Sequence, residues 1–178
     1  THPLQWMRIT GLGDPDSKDV TTEGGGVANQ SGLSIDIPGY RFSIDREVEG
    51  SIRYIDTQVA PATKPVKMVL WSGDCQVPAP VLKAAYQAGV LNMNGGDTVI
   101  TKSYPSWTAI APLGVRKDGY YQVFAPNQNE ELYTDLWHGP YYGFSRLLET
   151  LDMTDRPIRF KPIDVYYHMF TGTKYAGV

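Results

Sequence analysis

Three side chains stand out as able to move protons: Asp74, Asp97 and His168. An aspartate that orients a histidine, and a histidine that donates a proton, form ordinary acid–base apparatus. Each of the three follows or ends a stretch that reads as a β-strand. Ile163-Asp164-Val165-Tyr166-Tyr167-His168 alternates and is rich in β-branched and aromatic residues, which predicts a strand after Pro162. Asp74 and Asp97 lie in two Gly-Asp loops, after predicted strands at 66–71 and 90–94. Parallel strands share one carboxyl edge, where open α/β sheets and barrels keep their chemistry. The three groups are therefore expected to line one crevice, with Trp71 and Tyr166 beside them. The plainer alternative is that His168 merely closes a sheet. Asp74 and Asp97 as a carboxylate pair also leave glycosidase chemistry open. Cys75 has nothing cationic near it in sequence to lower its pKa, so it reads as a small buried residue rather than a nucleophile. No serine sits in a Gly-x-Ser-x-Gly elbow, which argues against an α/β-hydrolase.

The elements that must position these groups are read from period and punctuation. Ile44, Val48, Ile52, Ile55 and Val59 fall at helical spacing and predict a helix over 43–59. Ser43 can cap it, Asp45, Glu47 and Glu49 suit its early turns, and Ala60-Pro61 ends it. The clearest unit comes next. A strand at 66–71, a helix at 80–88 and a strand at 90–94 predict a right-handed β-α-β crossover with parallel strands. Pro80 opens that helix and Gly89 lies just past its end. Short strands are expected at 108–111 and 121–125, and a polar loop at 127–131. A helix is expected at 141–152, with Phe144, Leu147, Leu148 and Leu151 on one face; Pro157 bars its continuation. Residues 1–42 are loop-rich, with a short strand or β-arm where Leu33, Ile35 and Ile37 alternate. Gly24-Gly25-Gly26 has no strand before it and no Lys-Ser/Thr after it, so it is not a phosphate loop. The expected organisation is one α/β domain over 1–178, with a core at 43–178.

Composition narrows the partners. The net charge is −3 and the 16 Lys and Arg residues form no basic run, which disfavours nucleic acid and anionic membranes. No apolar stretch approaches the ~18 residues of a membrane span. The 12 Tyr, 4 Trp and 5 Phe often stand beside Gly, Pro and Asn, as in Tyr104-Pro105-Ser106-Trp107 and Trp137-His138-Gly139-Pro140-Tyr141-Tyr142. Aromatic loops rimmed with polar groups suit sugar rings, whose C–H faces stack on π systems. The alternative is that they pack long loops down.

Together these stretches resemble a family. Trp71-Ser72-Gly73-Asp74-Cys75, Asn92-Met93-Asn94-Gly95-Gly96-Asp97-Thr98 and Tyr166-Tyr167-His168 are similar to motifs of the polysaccharide deacetylases of carbohydrate esterase family 4. Asn129-Glu130, Leu136-Trp137 and Gly139-Pro140-Tyr141-Tyr142-Gly143-Phe144 resemble the subfamily that modifies the Pel exopolysaccharide of biofilms. The likeness spans most of 40–178 and is weak over 5–39.

What the resemblance implies can be stated residue by residue. The fold would be a distorted (β/α) barrel, the NodB-like fold, here partial and lacking its first strands. The activity would be metal-dependent N-deacetylation of an N-acetylhexosamine polysaccharide, in the periplasm or outside the cell. A divalent metal, zinc or cobalt, would polarise the amide carbonyl and bind the attacking water. His168 would be the acid that protonates the leaving amine, Asp97 would tune it, and Tyr166 would wall the acetyl pocket. Asp74 and Trp71 fall where the family has an Arg-containing loop; that Arg is absent here. Asn129 and Trp137 would contact substrate. Thr1-His2-Pro3 resembles the end of the family's His-x-x-x-His metal motif, so His2 would be one ligand; otherwise it is an unconstrained terminal histidine. The chain then reads as the carboxyl-terminal part of a deacetylase domain. Alone it is expected to hold no metal tightly and to be inactive, and its open sheet edges would be covered by self-association or by 1–42. A second reading is a non-catalytic carbohydrate-binding module that uses the aromatic loops.

Overall fold

The structure is a computed structural model and describes residues 43–71, 75, 77–96, 98–125 and 145–165. The chain divides into two compact units, Thr1–Met93 with Arg116–Gln122, and Asn94–Val115 with Val123–Val178. The described residues are mixed α/β, with three helices and a four-stranded open sheet.

The first helix, α1, is composite. An α turn, Ser51–Tyr54, lies between π turns Arg46–Gly50 and Ile55–Val59. The Ala60 N–H bonds back five residues to the Ile55 carbonyl, at 2.7 Å. A π turn is wider than an α turn, so it rotates the stripe that α spacing would keep in line. Val48 is buried, and Ile44 and Ile52 pack on the core, while Ile55 and Val59 are 39% and 67% exposed. The expected five-residue apolar face is thus shortened at its carboxyl end.

The predicted β-α-β unit is present. Strand β1 is Met68–Leu70, helix α2 is Ala79–Gln87 and strand β2 is Leu91–Met93. The strands run parallel, pairing Met68 with Leu91, Val69 with Asn92 and Leu70 with Met93. Pro80 occupies the first turn of α2, where its missing N–H costs nothing. At the other end Gly89 takes φ +72°. There the Gly89 N–H bonds the Tyr86 carbonyl and the Val90 N–H bonds the Ala85 carbonyl, at 3.0 and 3.2 Å. This double closure is a Schellman motif, with buried Val90 as its apolar partner. The core of this unit is Trp71, Cys75, Val77, Val81, Leu82, Ala84, Ala85 and Val90 against Val48. Each fully buried Val, Leu or larger side chain contributes about 1.5–3 kcal/mol.

Strand β3, Gly114–Lys117, was not foreseen; strand β4, Tyr120–Val123, begins one residue before its expected place. Asp118 and Gly119 join them, both with positive φ, 48° and 88°. An Asp-Gly pair in that conformation is a two-residue hairpin turn whose twist matches the flanking strands. Among the described residues the sheet order is β1-β2-β4-β3, with β1 outermost and its Met68 and Leu70 39% and 49% exposed.

In the second unit the strand expected at 108–111 is instead a 3-10 turn, Trp107–Ala109, followed by a single antiparallel bridge between Thr98 and Ile110. The Ser106 hydroxyl takes the Thr108 N–H, a local bond that competes with an extended ladder. Helix α3 is Ser145–Met153. Its buried positions are Leu147, Thr150 and, just beyond its end, Thr154, whereas Leu148 is 64% exposed. Of the expected apolar face Leu147 is buried and Leu151 half-buried, Leu148 is not part of it, Phe144 lies outside the described residues, and the hydroxyls of Thr150 and Thr154 share the buried side. Of the strand expected at 163–168, only 163–165 is described: Val165 forms an isolated bridge, and Ile163 and Val165 are exposed.

Candidate functional site

The carboxyl ends of β1 and β2 are where the sequence places chemistry. The register sets Leu70 beside Met93, so the connections that follow the two strands start at one edge. Trp71 directly follows β1 and is fully buried. Its indole N–H donates to Asn92 Oδ1 at 3.1 Å, and Asn92 Nδ2 donates to the Tyr121 carbonyl at 3.0 Å. A ring with no accessible surface makes no stacking contact with a sugar in this conformation; its place is to fix Asn92 and the strand end.

The described ends of the β1–α2 connection are fastened by side chains of the hairpin. Gln122 is fully buried and its amide donates to the Cys75 carbonyl at 2.9 Å. The Lys117 ammonium donates to the Val77 carbonyl at 2.7 Å and lies 3.4 Å from Gln122 Oε1. Cys75 takes φ +53° with its thiol 3.4 Å from the Trp71 carbonyl, so it is a buried, engaged residue, as expected. None of Asn92, Lys117 or Gln122 was singled out from sequence for this task. The available signal was a polar residue at an inward strand position, as Gln122 is between Tyr121 and Val123.

Beyond β2, three successive residues have positive φ: Asn94 at 113°, Gly95 at 93° and Gly96 at 71°. Asn94 is buried and its Oδ1 accepts the Gly95 N–H at 2.9 Å. Asn94 N–H donates to the Val123 carbonyl at 3.0 Å, extending the ladder by one residue. A Cβ on Gly96 would lie 2.3 Å from Phe124 Cδ2, so the backbone passes Phe124 where only glycine fits. Of the three only Asn94 carries backbone strain, since glycine adopts positive φ freely, and Asn94 lies three residues before Asp97 in sequence.

The second unit buries charge. Lys161 is 1% exposed, and its ammonium donates to the Pro112 carbonyl at 2.6 Å. Burial lowers its pKa from the ordinary lysine range. Asp164 has one buried oxygen, Oδ2, without a hydrogen-bond partner, and burial raises its pKa. Arg159 pairs with Asp155 at 3.2 Å and donates to the Leu151 carbonyl.

Asp74, Asp97 and His168 lie outside the described residues, as do Tyr166, Asn129, Trp137 and His2. Trp71 alone of the candidate residues is described. Among the described residues no group of three or more His, Cys, Asp or Glu side chains could hold a metal ion. No described helix is long and apolar enough to cross a membrane. In unit 1 a cavity of about 260 Å³ lies between α1 and β1, lined mainly by apolar groups including Ile52, Val66, Leu70 and Trp71. Comparison with models of known families, with curated proteins and with solved structures gave no match.

Proposed function

We infer that this chain is part of a metal-dependent polysaccharide N-deacetylase, acting on an exported N-acetylhexosamine polymer. The observation that supports this most is the β1–α2–β2 unit: each Gly-Asp segment, 73–74 and 96–97, follows a strand of one parallel pair. In this reading the whole domain is a distorted barrel. His168 protonates the leaving amine, Asp97 orients that imidazole, and Asp74 belongs to the loop that holds the base. Tyr166, Asn129 and Trp137 contact the sugar, while Trp71, buried and bonded to Asn92, holds the end of the first strand. His2 is one ligand of a divalent metal that, when bound, would polarise the amide and activate water. Open sheet edges are covered by self-association of copies or by residues 1–42; the exposed Met68 and Leu70 of β1, outermost among the described strands, support a covered edge there.

Acetate release from N-acetylhexosamine oligomers, with and without added zinc or cobalt, tests the reading. Alone, the chain is expected to release none, because His2 is a single ligand. Joined to a segment supplying the family's remaining Asp and His ligands, it should release acetate in a metal-dependent way. His168→Ala should then cut turnover by about 10²–10⁴-fold while metal binding is kept. Near-normal turnover in that variant, or no release from the joined protein, refutes the assignment.

A further inference from the structure

Two exposed aromatic rings of the second unit have no role in the reading above. Trp107 is 74% exposed and Tyr104 is 57% exposed. An indole left in water forgoes one of the largest burial gains any side chain offers. A loose loop would turn such rings inward, but this loop is fixed. Thr101 and Tyr104 exchange backbone hydrogen bonds at 3.2 and 3.0 Å. The Tyr104 N–H also reaches Thr101 Oγ1, at 3.1 Å. The Ser106 hydroxyl lies 2.7 Å from that of Thr108 and opens the 3-10 turn carrying Trp107. From α3, Glu149 accepts the Lys102 N–H at 2.8 Å and Arg146 donates to Ser103 Oγ at 2.6 Å. Buried Thr150 accepts the Ile100 N–H and donates to the Ile100 carbonyl. The two aromatics therefore stand on a held backbone, three residues apart, with at most about 10 Å between their Cα atoms.

We propose that this loop is a docking platform for a chain of pyranose sugars, with Trp107 and Tyr104 stacking on the C–H faces of neighbouring rings. The other exposed side chains between 101 and 108 are Lys102, Ser103, Pro105 and Thr108. They offer polar groups to hydroxyls and only small aliphatic pieces, the Lys102 stem, the Pro105 ring and the Thr108 methyl, far less than the apolar core of a typical protein interface. The net charge of −3 disfavours a nucleic-acid strand as the stacked ligand. The platform takes its ligand class from the polysaccharide reading but needs neither metal nor His168. It would hold the polymer while another segment of it reacts.

Isothermal titration of the chain with short N-acetylglucosamine oligomers, in the presence of a chelator, tests it. Trp107→Ala and Tyr104→Ala are each expected to weaken binding about tenfold, and Trp107→Phe to retain most of it. Both side chains are exposed, so circular dichroism and the melting temperature should not change. Wild-type affinity in Trp107→Ala, or no binding by the unsubstituted chain, overturns the platform. Binding through Trp107 in a metal-loaded joined protein that releases no acetate keeps the platform and removes the deacetylase reading. Acetate release with affinity untouched by both alanine substitutions does the reverse.

Discussion

Replacing Gly96 by alanine should cost more stability than the same change at Gly89, although their φ angles are nearly equal, +71° and +72°. At Gly89 an added Cβ meets nothing within 4 Å. The cost there is that of an alanine in the left-handed region, about 1–2 kcal/mol. At Gly96 the same atom would fall 2.3, 2.5 and 2.7 Å from Phe124 Cδ2, Cγ and Cβ. The Phe124 Cβ is fixed to its backbone, so turning the ring cannot clear the overlap. Overpacking of this kind adds about 1–3 kcal/mol. Gly96→Ala should therefore cost about 2–5 kcal/mol in all, a large part of the 5–15 kcal/mol typical of a folded domain. Urea unfolding of both variants, followed by circular dichroism, measures the difference with the backbone contribution cancelled. Equal losses, within about 0.5 kcal/mol, would show that the 94–96 turn does not press on Phe124.

Gln122→Ala leaves the buried Cys75 carbonyl without its donor and should cost about 1–3 kcal/mol by the same measurement; a neutral result would mean that the β1–α2 connection is not held from the hairpin. Thr150→Val keeps shape but removes both bonds to the Ile100 backbone, with a similar expected loss, whereas Leu148→Ala at an exposed position should change stability by less than about 0.5 kcal/mol. Two pH effects of opposite sign are expected from the buried charges. Folded Asp164 keeps its proton to higher pH than the unfolded chain, so its contribution lowers stability as pH rises from about 4; Asp164→Asn should flatten that slope. Folded Lys161 loses its proton at lower pH than the unfolded chain, so its contribution raises stability as pH climbs toward about 10.4; Lys161→Met should abolish that gain, and urea midpoints across the two ranges check both signs.

The parts of this fold that were legible are those set by neighbours in sequence. Pro80 and Gly89 bound α2 because a missing N–H and a positive φ are local properties, and the apolar runs on either side could only be short strands. The hairpin turn is also written locally, in Asp118-Gly119, but Arg116 and Lys117 dilute the apolar pattern of the strand 114–117 that leads into it. What was not legible depends on partners far along the chain. The stripe on α1 could not reveal its π turns. Thr150 and Thr154 look like weak interruptions of a leucine face, until the Ile100 backbone is seen to need a hydroxyl. Trp71 reads as a strand-end aromatic open to a ligand, but its N–H is engaged by Asn92, 21 residues away.

A common cause underlies these misses. The strands are three or four residues long, so the sheet ladder satisfies few of the backbone groups at its ends. The connections carry the rest, and buried amides and carbonyls left unpaired would cost about 1–3 kcal/mol each. Polar side chains meet that demand: Gln122 and Lys117 in the first unit, Asn94, Thr98 and Thr150 in the second. A reading led by apolar period ranks such residues as surface, because their value depends on which distant backbone group they reach. Their effect is to fasten the backbone of Cys75, Val77 and Ile100, described residues of the connections that follow the strands. Acid–base groups and sugar-stacking rings both need a backbone held to about 0.5 Å to act. The polar fasteners therefore come before the function: with Gln122 or Thr150 removed, the Cys75 or Ile100 backbone should loosen even where its own sequence is intact.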